Sequence, residues 1–315
     1  MMTRNPSILV VGSVSAELAV HVNKPFNAGQ SLAGTDLKTI PDGKGANFAV
    51  AAARLGANVE IIAKVGNDEF GKYLIKHLED ENIDTSYITI APDMPSGTNL
   101  SIVDQLGENS SVLVSGANSA LSPDDIFGCE PAFANADAVI LELSIPRQTI
   151  RAAIDLARRN NCLIFLDPAN APADLPDSLI EVDYLTANIA SAESLTGERP
   201  NSDQTDKLVA SMLIARGAKT VALKLSSRGA IIVANDEHIY REHAFKTKVI
   251  DTTAAGDVYT AALAYCICSG VDLHHAGRFA TAAGSLTCEK IGAHNAMPTK
   301  FEVEMLLRDE PDSIR

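Results

Sequence analysis

Two aspartates, Asp251 and Asp257, flank the small residues AAG at positions 254–256, and a helical pattern follows directly. Small side chains leave the first backbone N–H groups of a helix open, and these donors together with the helix dipole favour an anion. A carboxylate beside such an anion hole suits phosphoryl transfer, because it can take the proton of an attacking hydroxyl. Helix capping accounts for one of the two acids but not for both. The segment therefore predicts a phosphoryl-transfer site.

A second segment, DGKGAN at positions 42–47, precedes an alanine-rich stretch with a helical pattern. Its two glycines allow the backbone to approach a ligand closely. Lys44 and Asn47 would then supply hydrogen bonds to that ligand. The alternative interpretation is a loop with an exposed lysine.

Other catalytic motifs are missing from the sequence. It contains no G-x-x-x-x-G-K-[ST] loop, no G-x-G-x-x-G after a strand, no G-x-S-x-G turn and no H-E-x-x-H helix. The adjacent His274 and His275 lack the spacing of metal ligands, and we interpret them as a helix-surface feature. Cys266 and Cys268 lie in an apolar helical run and are predicted to be buried.

Composition narrows the range of partners. The 315 residues, 46% of them hydrophobic, suffice for a full core, which excludes a disordered or disulfide-stapled chain. With 26 basic and 40 acidic residues the net charge is −14, which disfavours nucleic acid but allows a small anionic ligand. There is no C-x-x-C pair among the five cysteines, no signal-peptide core and no apolar run of about 20 residues. These features predict a cytoplasmic protein without a membrane partner.

Strand-like and helix-like segments alternate along most of the chain. Short β-branched segments predict strands at 8–11, 59–65, 138–143, 163–166, 184–186, 220–225 and 229–234. Amphipathic segments predict helices at 68–81, 146–159 and 204–215, and a mostly helical region from 254 onward. This order indicates an α/β fold with a mostly parallel sheet between helical layers and ligands at the carboxyl ends of its strands.

Four further segments alternate apolar and polar residues, as strands with one covered face do. They are 16–22, 32–40, 98–106 and 110–114, with a turn at 107–109. We expect them to form a small separate sheet.

With these segments in place, the sequence resembles the PfkB carbohydrate kinase family, above all its ribokinases. The resemblance extends over nearly the whole chain and includes both chemical motifs in the same order. Its other parts are GSVSAE at 12–17, GAN at 116–118, LELSIP at 141–146, DPA at 167–169, and GA at 292–293 with Pro298.

The resemblance implies one ribokinase-like domain over residues 1–315, a three-layer α/β/α sandwich with a mostly parallel central sheet. A small β-sheet lid would be inserted at about 14–40 and 97–115. The implied activity is transfer of the γ-phosphoryl group of ATP to a primary hydroxyl of a pentose or related sugar. Asp257 would be the catalytic base beside an anion hole of Ala254, Ala255 and Gly256. The implied sugar-binding residues are Ser15, Glu17, Gly43, Lys44, Asn47, Ser144 and Asp257.

The same resemblance implies a nucleotide site and a cation site. ATP, which would bring Mg²⁺, would be bound by Asn188, Lys224, Ser226, Gly229 and Thr281. Asp251 and Thr253, with backbone near Gly292, would bind a monovalent cation, usually K⁺. The lid would close over the sugar and pair two subunits into a homodimer.

Four positions at or beside the implied sugar pocket differ from the family pattern. Ser15 and Glu17 stand where ribokinases have Asn and Asp, Asp42 where they have Gly, and Ser144 where they have Glu. Losing a hydrogen-bond partner changes substrate selection strongly. We therefore expect that ribose is not held in the usual way.

The nucleotide side differs as well. The Asn-x-x-Glu motif of the family reads Asn188 to Ser191 here, and Glu193 is expected on another side of the helix. Lys224 and Ser226 replace Thr and Gly, which makes Lys224 a candidate contact to the nucleotide phosphates.

Two other functions fit the same residues. A nucleoside kinase of the same family would explain the altered sugar positions. A weakly active or non-catalytic sugar- or nucleotide-binding homologue would explain Ser191, although binding alone does not require the base Asp257.

Overall fold

Short apolar strands and longer amphipathic helices alternate in the computed structural model, which describes residues 5–24, 29, 31–104, 109–234 and 238–310. The strands are β1 (Ser7–Val11), β2 (Ser15–Val22), β3 (Gly34–Asp42), β4 (Asn58–Gly66), β5 (Ile88–Ala91), β6 (Gly97–Val103), β7 (Asn109–Val114), β8 (Ala138–Glu142), β9 (Leu163–Asp167), β10 (Tyr184–Asn188), β11 (Thr220–Lys224), β12 (Ala230–Ala234) and β13 (His238–Glu242). The α-helices are α1 (Lys44–Arg54), α2 (Glu69–Asp80), α3 (Pro123–Phe127), α4 (Glu130–Asn135), α5 (Arg147–Arg159), α6 (Asp177–Ile180), α7 (Ile189–Thr196), α8 (Asp203–Ala215), α9 (Ala255–Cys268), α10 (Leu273–Thr287) and α11 (Lys300–Asp309).

Nine strands form the central sheet, in the order β13-β12-β11-β10-β9-β8-β1-β4-β5. Neighbouring strands from β11 to β5 are parallel, and β12 and β13 are antiparallel at one edge. Successive residues of β1 point to opposite faces. Ile8 and Val10 pack with residues of α1, α9 and α10, whereas Leu9 and Val11 pack with residues of α5 and α8. The predicted three-layer α/β/α fold with a mostly parallel sheet is therefore confirmed.

Four strands form a second, smaller sheet, in the order β3-β2-β6-β7. Strand β2 is antiparallel to β3 and parallel to β6, and β6 is antiparallel to β7. The separate sheet was predicted from alternation, but β3 begins and ends two residues later than expected. The predicted turn at 107–109 falls largely on residues 105–108, which lie outside the described residues.

Most predicted strands and helices agree with the observed ones to within two residues. The sequence reading missed the edge strands β5 and β13, which are only four and five residues long. The expectation for the two C-x-C cysteines is half right, since Cys266 is buried but Cys268 is only partly so. His274 and His275 lie near the start of α10 with 41% and 62% of their side chains exposed, as predicted for a surface feature.

The described part of the chain has no helix that is both long and apolar enough to cross a bilayer. All five cysteines are free thiols.

Candidate active site

Asp257 lies in the first turn of α9, at the edge of a cavity of about 830 Å³. Its carboxylate accepts hydrogen bonds from Lys44 Nζ and from Asn47 Nδ2, each at 2.8 Å. Both donors belong to the first turn of α1. The two segments singled out in the sequence, 210 or more residues apart, therefore meet at one carboxylate.

The glycines of the DGKGAN segment pack closely against the loop that follows β1. Gly43 has a φ of +106°, and a Cβ at this position would lie 2.7 Å from the carbonyl oxygen of Ser13. A Cβ at Gly45 would lie 2.7 Å from the carbonyl carbon of Gly12. These contacts let α1 begin directly on the loop that follows β1, and the close approach of the glycine backbone to a ligand stays a prediction.

We expect Gly43→Ala to lower both stability and sugar affinity. The substitution combines a left-handed backbone, which costs about 1–3 kcal/mol, with the clash at Ser13. Urea unfolding and the KM for the sugar would measure the two effects. Gly197→Ala is the matched control, because Gly197 has a φ of +77° but no atom within 4 Å of the added Cβ. Equal losses of stability in both variants would contradict the role of the Ser13 contact.

The start of α9 retains free backbone donors. The N–H of Ala255 donates to Thr252 O at 3.3 Å, and that of Asp257 donates to Ala254 O at 2.9 Å. Among the described residues, the N–H groups of Ala254 and Gly256 have no acceptor. Two of the small residues predicted to form the anion hole thus offer unused donors at a helix N-terminus, while Ala255 offers a donor that is already weakly engaged.

Lys44 is held charged at the mouth of this site. Burial alone would lower its pKa, but the carboxylates of Asp257, Asp167 and Glu142 raise the pKa above its ordinary value. An ammonium that stays protonated beside Asp257 provides a fixed positive charge where a phosphoryl group would arrive.

The candidate nucleotide-binding residues all line the same cavity as Asp257. They are Asn188, Lys224, Ser226, Gly229 and Thr281. They come from the ends of β10 and β11, from the turn before β12 and from α10. Since the carboxyl ends of parallel strands lie at one edge of a sheet, the fold brings together residues that are far apart in the sequence.

Asn188 caps α7 together with Ser191. The Oδ1 atom of Asn188 accepts from the backbone N–H and from the hydroxyl of Ser191, each at 2.8 Å. Only the amide nitrogen of Asn188 therefore remains for a nucleotide. Glu193 pairs with Arg199 on the surface, so it does not replace the glutamate that Ser191 lacks.

Lys224 lines the cavity but is already engaged. Its Nζ atom lies 2.6 Å from Asp167 Oδ2, 3.2 Å from Gly256 O and 3.3 Å from Thr260 Oγ1. Burial would raise the pKa of Asp167, but the charges of Lys224 and Lys44 hold it below the ordinary value. Lys224 thus joins the end of β11 to the first turn of α9, directly beneath the candidate anion hole.

The turn that carries Ser226 and Gly229 is fixed from outside the cavity. Arg228, between them, donates to both carboxylate oxygens of Asp206, at 2.7 and 3.1 Å. Asp206 is fully buried on α8 and also accepts from Arg241 on β13. Asp206 is a positioning residue that sequence reasoning missed, because its partners come from elements distant in the chain.

The candidate sugar residues fall into two groups around Asp257. Lys44 and Asp257 line the large cavity, whereas Ser15, Glu17, Gly43, Asn47 and Ser144 are not among its described lining residues. Ser15 and Glu17 lie on β2 of the small sheet, and Ser144 follows the end of β8. The Ser15 hydroxyl accepts from Asn118 Nδ2 at 3.2 Å, and the Glu17 carboxylate accepts from the Ser101 hydroxyl.

Glu142, the last residue of β8, is a buried carboxylate that sequence reasoning did not single out. It accepts from the backbone N–H groups of Ser13, at 2.8 Å, and Ser144. Burial raises the pKa of Glu142 above its ordinary value, although the charge of the nearby Lys44 lowers it in part. An acid at the end of an apolar strand was the available signal, and Asp167 at the end of β9 shows the same one.

The predicted cation residues lie just before α9. One carboxylate oxygen of Asp251 accepts from the backbone and hydroxyl of Thr253, and the other accepts from the Gly292 N–H at 2.8 Å. Burial would raise the pKa of Asp251, but these hydrogen bonds hold it below the ordinary value. The loop at Gly292 and the segment before α9 are therefore tied together at a charged carboxylate.

Comparison with known proteins gives one family across the chain. Residues 5–300 match the model of the pfkB family carbohydrate kinases. The chain is 35% identical to a ribokinase of Bacillus subtilis over 96% of its own length and 99% of that protein. It is 32% identical to a ribokinase of Haemophilus influenzae over 94% of its length and 96% of that protein.

A solved structure has the same fold. The ribokinase of Arabidopsis thaliana, complexed with ribose and ATP, superposes with a TM-score of 0.90 at 28% identity, covering 97% of this chain and 99% of that one. The likeness extends over nearly all of the chain, both in sequence and in structure. The chain belongs to the pfkB family of carbohydrate kinases.

Proposed function

We propose that this chain phosphorylates a primary hydroxyl of a pentose or related sugar, with Asp257 as the base and the start of α9 as the anion hole. It is an ATP-dependent, ribokinase-like sugar kinase, a phosphotransferase with an alcohol as acceptor. The observation that carries the site assignment is the convergence of Lys44 and Asn47 on the Asp257 carboxylate beside free backbone donors.

Substrate binding, proton transfer and charge stabilisation are assigned to different groups around Asp257. The sugar would bind on the small-sheet side of Asp257, and MgATP would bind in the cavity on the other side. Asp257 takes the proton of the attacking hydroxyl, while Asn47 holds the second carboxylate oxygen in place. The free N–H groups of Ala254 and Gly256, together with the Lys44 ammonium, hold the charge of the moving phosphoryl group.

A substrate panel tests this proposal. ADP release is measured with Mg²⁺ and K⁺ on ribose, deoxyribose, fructose, other pentoses and hexoses, and nucleosides. Turnover on a sugar supports the proposal, and turnover on nucleosides alone would replace it with a nucleoside kinase. No turnover on any compound by folded protein that binds ATP would favour a non-catalytic binder.

We also assign a monovalent cation to the loop of Asp251 and Thr253. The available ligands are carboxylate, hydroxyl and carbonyl oxygens, the type that hard cations prefer. Asp251 Oδ2 accepts only from the Gly292 N–H and so keeps a second lone pair for the ion, whereas Oδ1 already accepts two hydrogen bonds from Thr253. The charge that the ion would bring lies just before the start of α9.

Replacing K⁺ with Li⁺ is expected to lower the rate of the parent enzyme by about tenfold. Changes in the surroundings of a bound metal typically lower activity by about this factor. Asp251→Asn should be slow in both salts, because it removes the charge that would hold the ion. Initial rates at matched ionic strength measure the effect. A variant that keeps the full response to K⁺ would remove Asp251 from the site.

The homodimer proposal rests on the face of the small sheet that points away from Glu17. Alternation along the strands places four exposed apolar side chains on this face: Leu37, Leu100, Val112 and Val114. Leu37 and Val112 are 64% and 63% exposed. Contiguous exposed apolar surface of this kind marks an interface, and a second copy offers a matching one.

We expect the protein to sediment as a dimer and the double variant Leu37→Lys/Val112→Lys to sediment as a monomer. Two like charges on each copy would have to be buried against each other in the interface. Phe301→Lys is the control, since Phe301 is 68% exposed on α11 and far from the small sheet in sequence. A monomeric parent protein would overturn the proposed pairing.

The location proposed for this reaction is the cytoplasm, where five free cysteines remain reduced.

A further inference from the structure

One face of the small sheet brings together hydrogen-bond acceptors from three strands. Ser15 pairs with Asp42 across β2 and β3, and Glu17 pairs with Asn99 across β2 and β6. Paired residues point to the same face, and residues two apart on a strand share it. Since Asp42 leads through a single glycine into α1, this face meets Asn47 beside the catalytic aspartate.

Two amide oxygens on this surface accept no hydrogen bond from the described residues. In the described part of the chain, Asn47 Oδ1 and Asn99 Oδ1 are buried and accept no hydrogen bond. Asn47 is only 4% exposed, and its Nδ2 atom is used by Asp257. Buried acceptors are costly when unsatisfied, so a ligand that donates hydrogen bonds to these amide oxygens would be favoured here, as an ordered water would.

Two carboxylates on the same surface have no cationic partner among the residues that the structure describes. Among the described residues, no lysine, arginine or histidine forms an ion pair with Glu17 or Asp42, and Lys44 is paired with Asp257. Burial raises the pKa of both acids, and the charge of Asp42 raises that of Glu17 further. The side-chain amides of Asn47 and Asn99 lie beside Asp42, and their hydrogen bonds lower the pKa of Asp42 in part. A positive charge bound here would stabilise both carboxylates.

We propose that Glu17 and Asp42 select an acceptor that carries an ammonium group, an amino sugar or an amino-substituted polyol. The proposal rests on the sugar-kinase function proposed above and names the substrate class of that site. A hydroxyl gives one donor and no charge, whereas an ammonium gives three donors and a full charge. Three donors match one carboxylate from each of two strands together with an orphaned amide oxygen. Asp42 is the discriminating group, because it adds a carboxylate where ribokinases have glycine.

Calorimetric titration with sugars and amines in the absence of nucleotide tests the preference for an ammonium group separately from phosphoryl transfer. Ribose is compared with its 1-, 2- and 3-amino-deoxy forms, and glucose with 2-amino-2-deoxyglucose, each amine also as its neutral N-acetyl derivative. We expect at least one amine to bind about tenfold or more tighter than its hydroxyl counterpart, the scale of a close charge pair. Equal binding, binding of neutral sugars only or no binding of the panel overturns the proposal, and these comparisons require no variant.

Two substitutions assign the preference to its residues. Asp42→Asn and Glu17→Gln are each expected to reduce it to about twofold or less, because each removes a charge and keeps the side-chain shape. Asp36→Asn is the control, since Asp36 lies on the same strand with its side chain 52% exposed. If both variants kept the full preference for the amine over its hydroxyl counterpart, Glu17 and Asp42 would not be the selecting residues. An amine that binds but is not phosphorylated, while a neutral sugar is turned over, would overturn the amine as acceptor; no turnover of any compound would instead count against the kinase function.

Discussion

Asp257→Asn is expected to lower kcat by about a thousandfold, within the range that general-base catalysis supplies. Asparagine keeps the shape of the side chain but cannot accept the proton of the attacking hydroxyl. It also leaves the Lys44 ammonium, now 2.8 Å from a carboxylate oxygen, facing a neutral amide. In the proposed arrangement ATP binds mainly on the other side of Asp257, so its affinity should change little. Initial rates at saturating ATP and sugar measure the loss.

The control is Asp309→Asn, an exposed acid near the end of α11 that has no part in the site. It should retain the parent rate. If Asp257→Asn kept more than about a tenth of the parent kcat, Asp257 would not be the base. Thermal unfolding of both variants shows whether the loss comes from chemistry or from folding.

Lys224→Ala is expected to reduce the free energy of unfolding by about 3–5 kcal/mol, because it removes the partner of a buried carboxylate. Asp167 is 0% exposed, and its ion pair with Lys224 is 2.6 Å long. The same change should weaken ATP binding, since Lys224 lies beneath the first turn of α9. Urea unfolding and calorimetric titration with ATP measure the two losses separately.

A double variant separates structure from nucleotide contact. Lys224→Met combined with Asp167→Leu replaces the buried pair with apolar groups, which often restores stability. If Lys224 contacts the phosphates, ATP affinity should remain low in this variant even as stability returns. Recovery of both would mean that Lys224 acts only by holding Asp167, and unchanged ATP affinity in Lys224→Ala would refute the phosphate contact directly.

The fold was predictable because its signals are local. Runs such as Ile8–Val11 need both faces of a sheet covered, and the helix spacing of α5 allows only one buried face. The edge strand β13 lacked such a signal, since its outer residues His238 and Ile239 remain exposed. Periodicity reports burial, so it finds central elements better than edges.

The residues of the candidate site could be predicted only where their neighbours in the sequence indicate a chemical role. Asp257 follows its small residues directly, and Lys44 stands between two glycines. The pairing of Lys224 with Asp167, by contrast, joins residues 57 positions apart on two different strands. From the sequence, Lys224 was therefore interpreted as a cation available to the nucleotide. Its ion pair with Asp167 becomes visible only when β9 and β11 are placed in the sheet.

The parallel pairing of β2 with β6 determines when the small sheet can form. A tight turn can connect antiparallel neighbours, but parallel ones need a long crossover. Here the crossover contains α1, β4, α2 and β5, which belong to the central sheet and its helical layers. The β2–β3 hairpin is thus synthesised first, and the edge of β2 that later pairs with β6 stays open until β6 arrives. The small sheet is completed late, and its open edge makes nascent chains prone to strand-to-strand association during that interval.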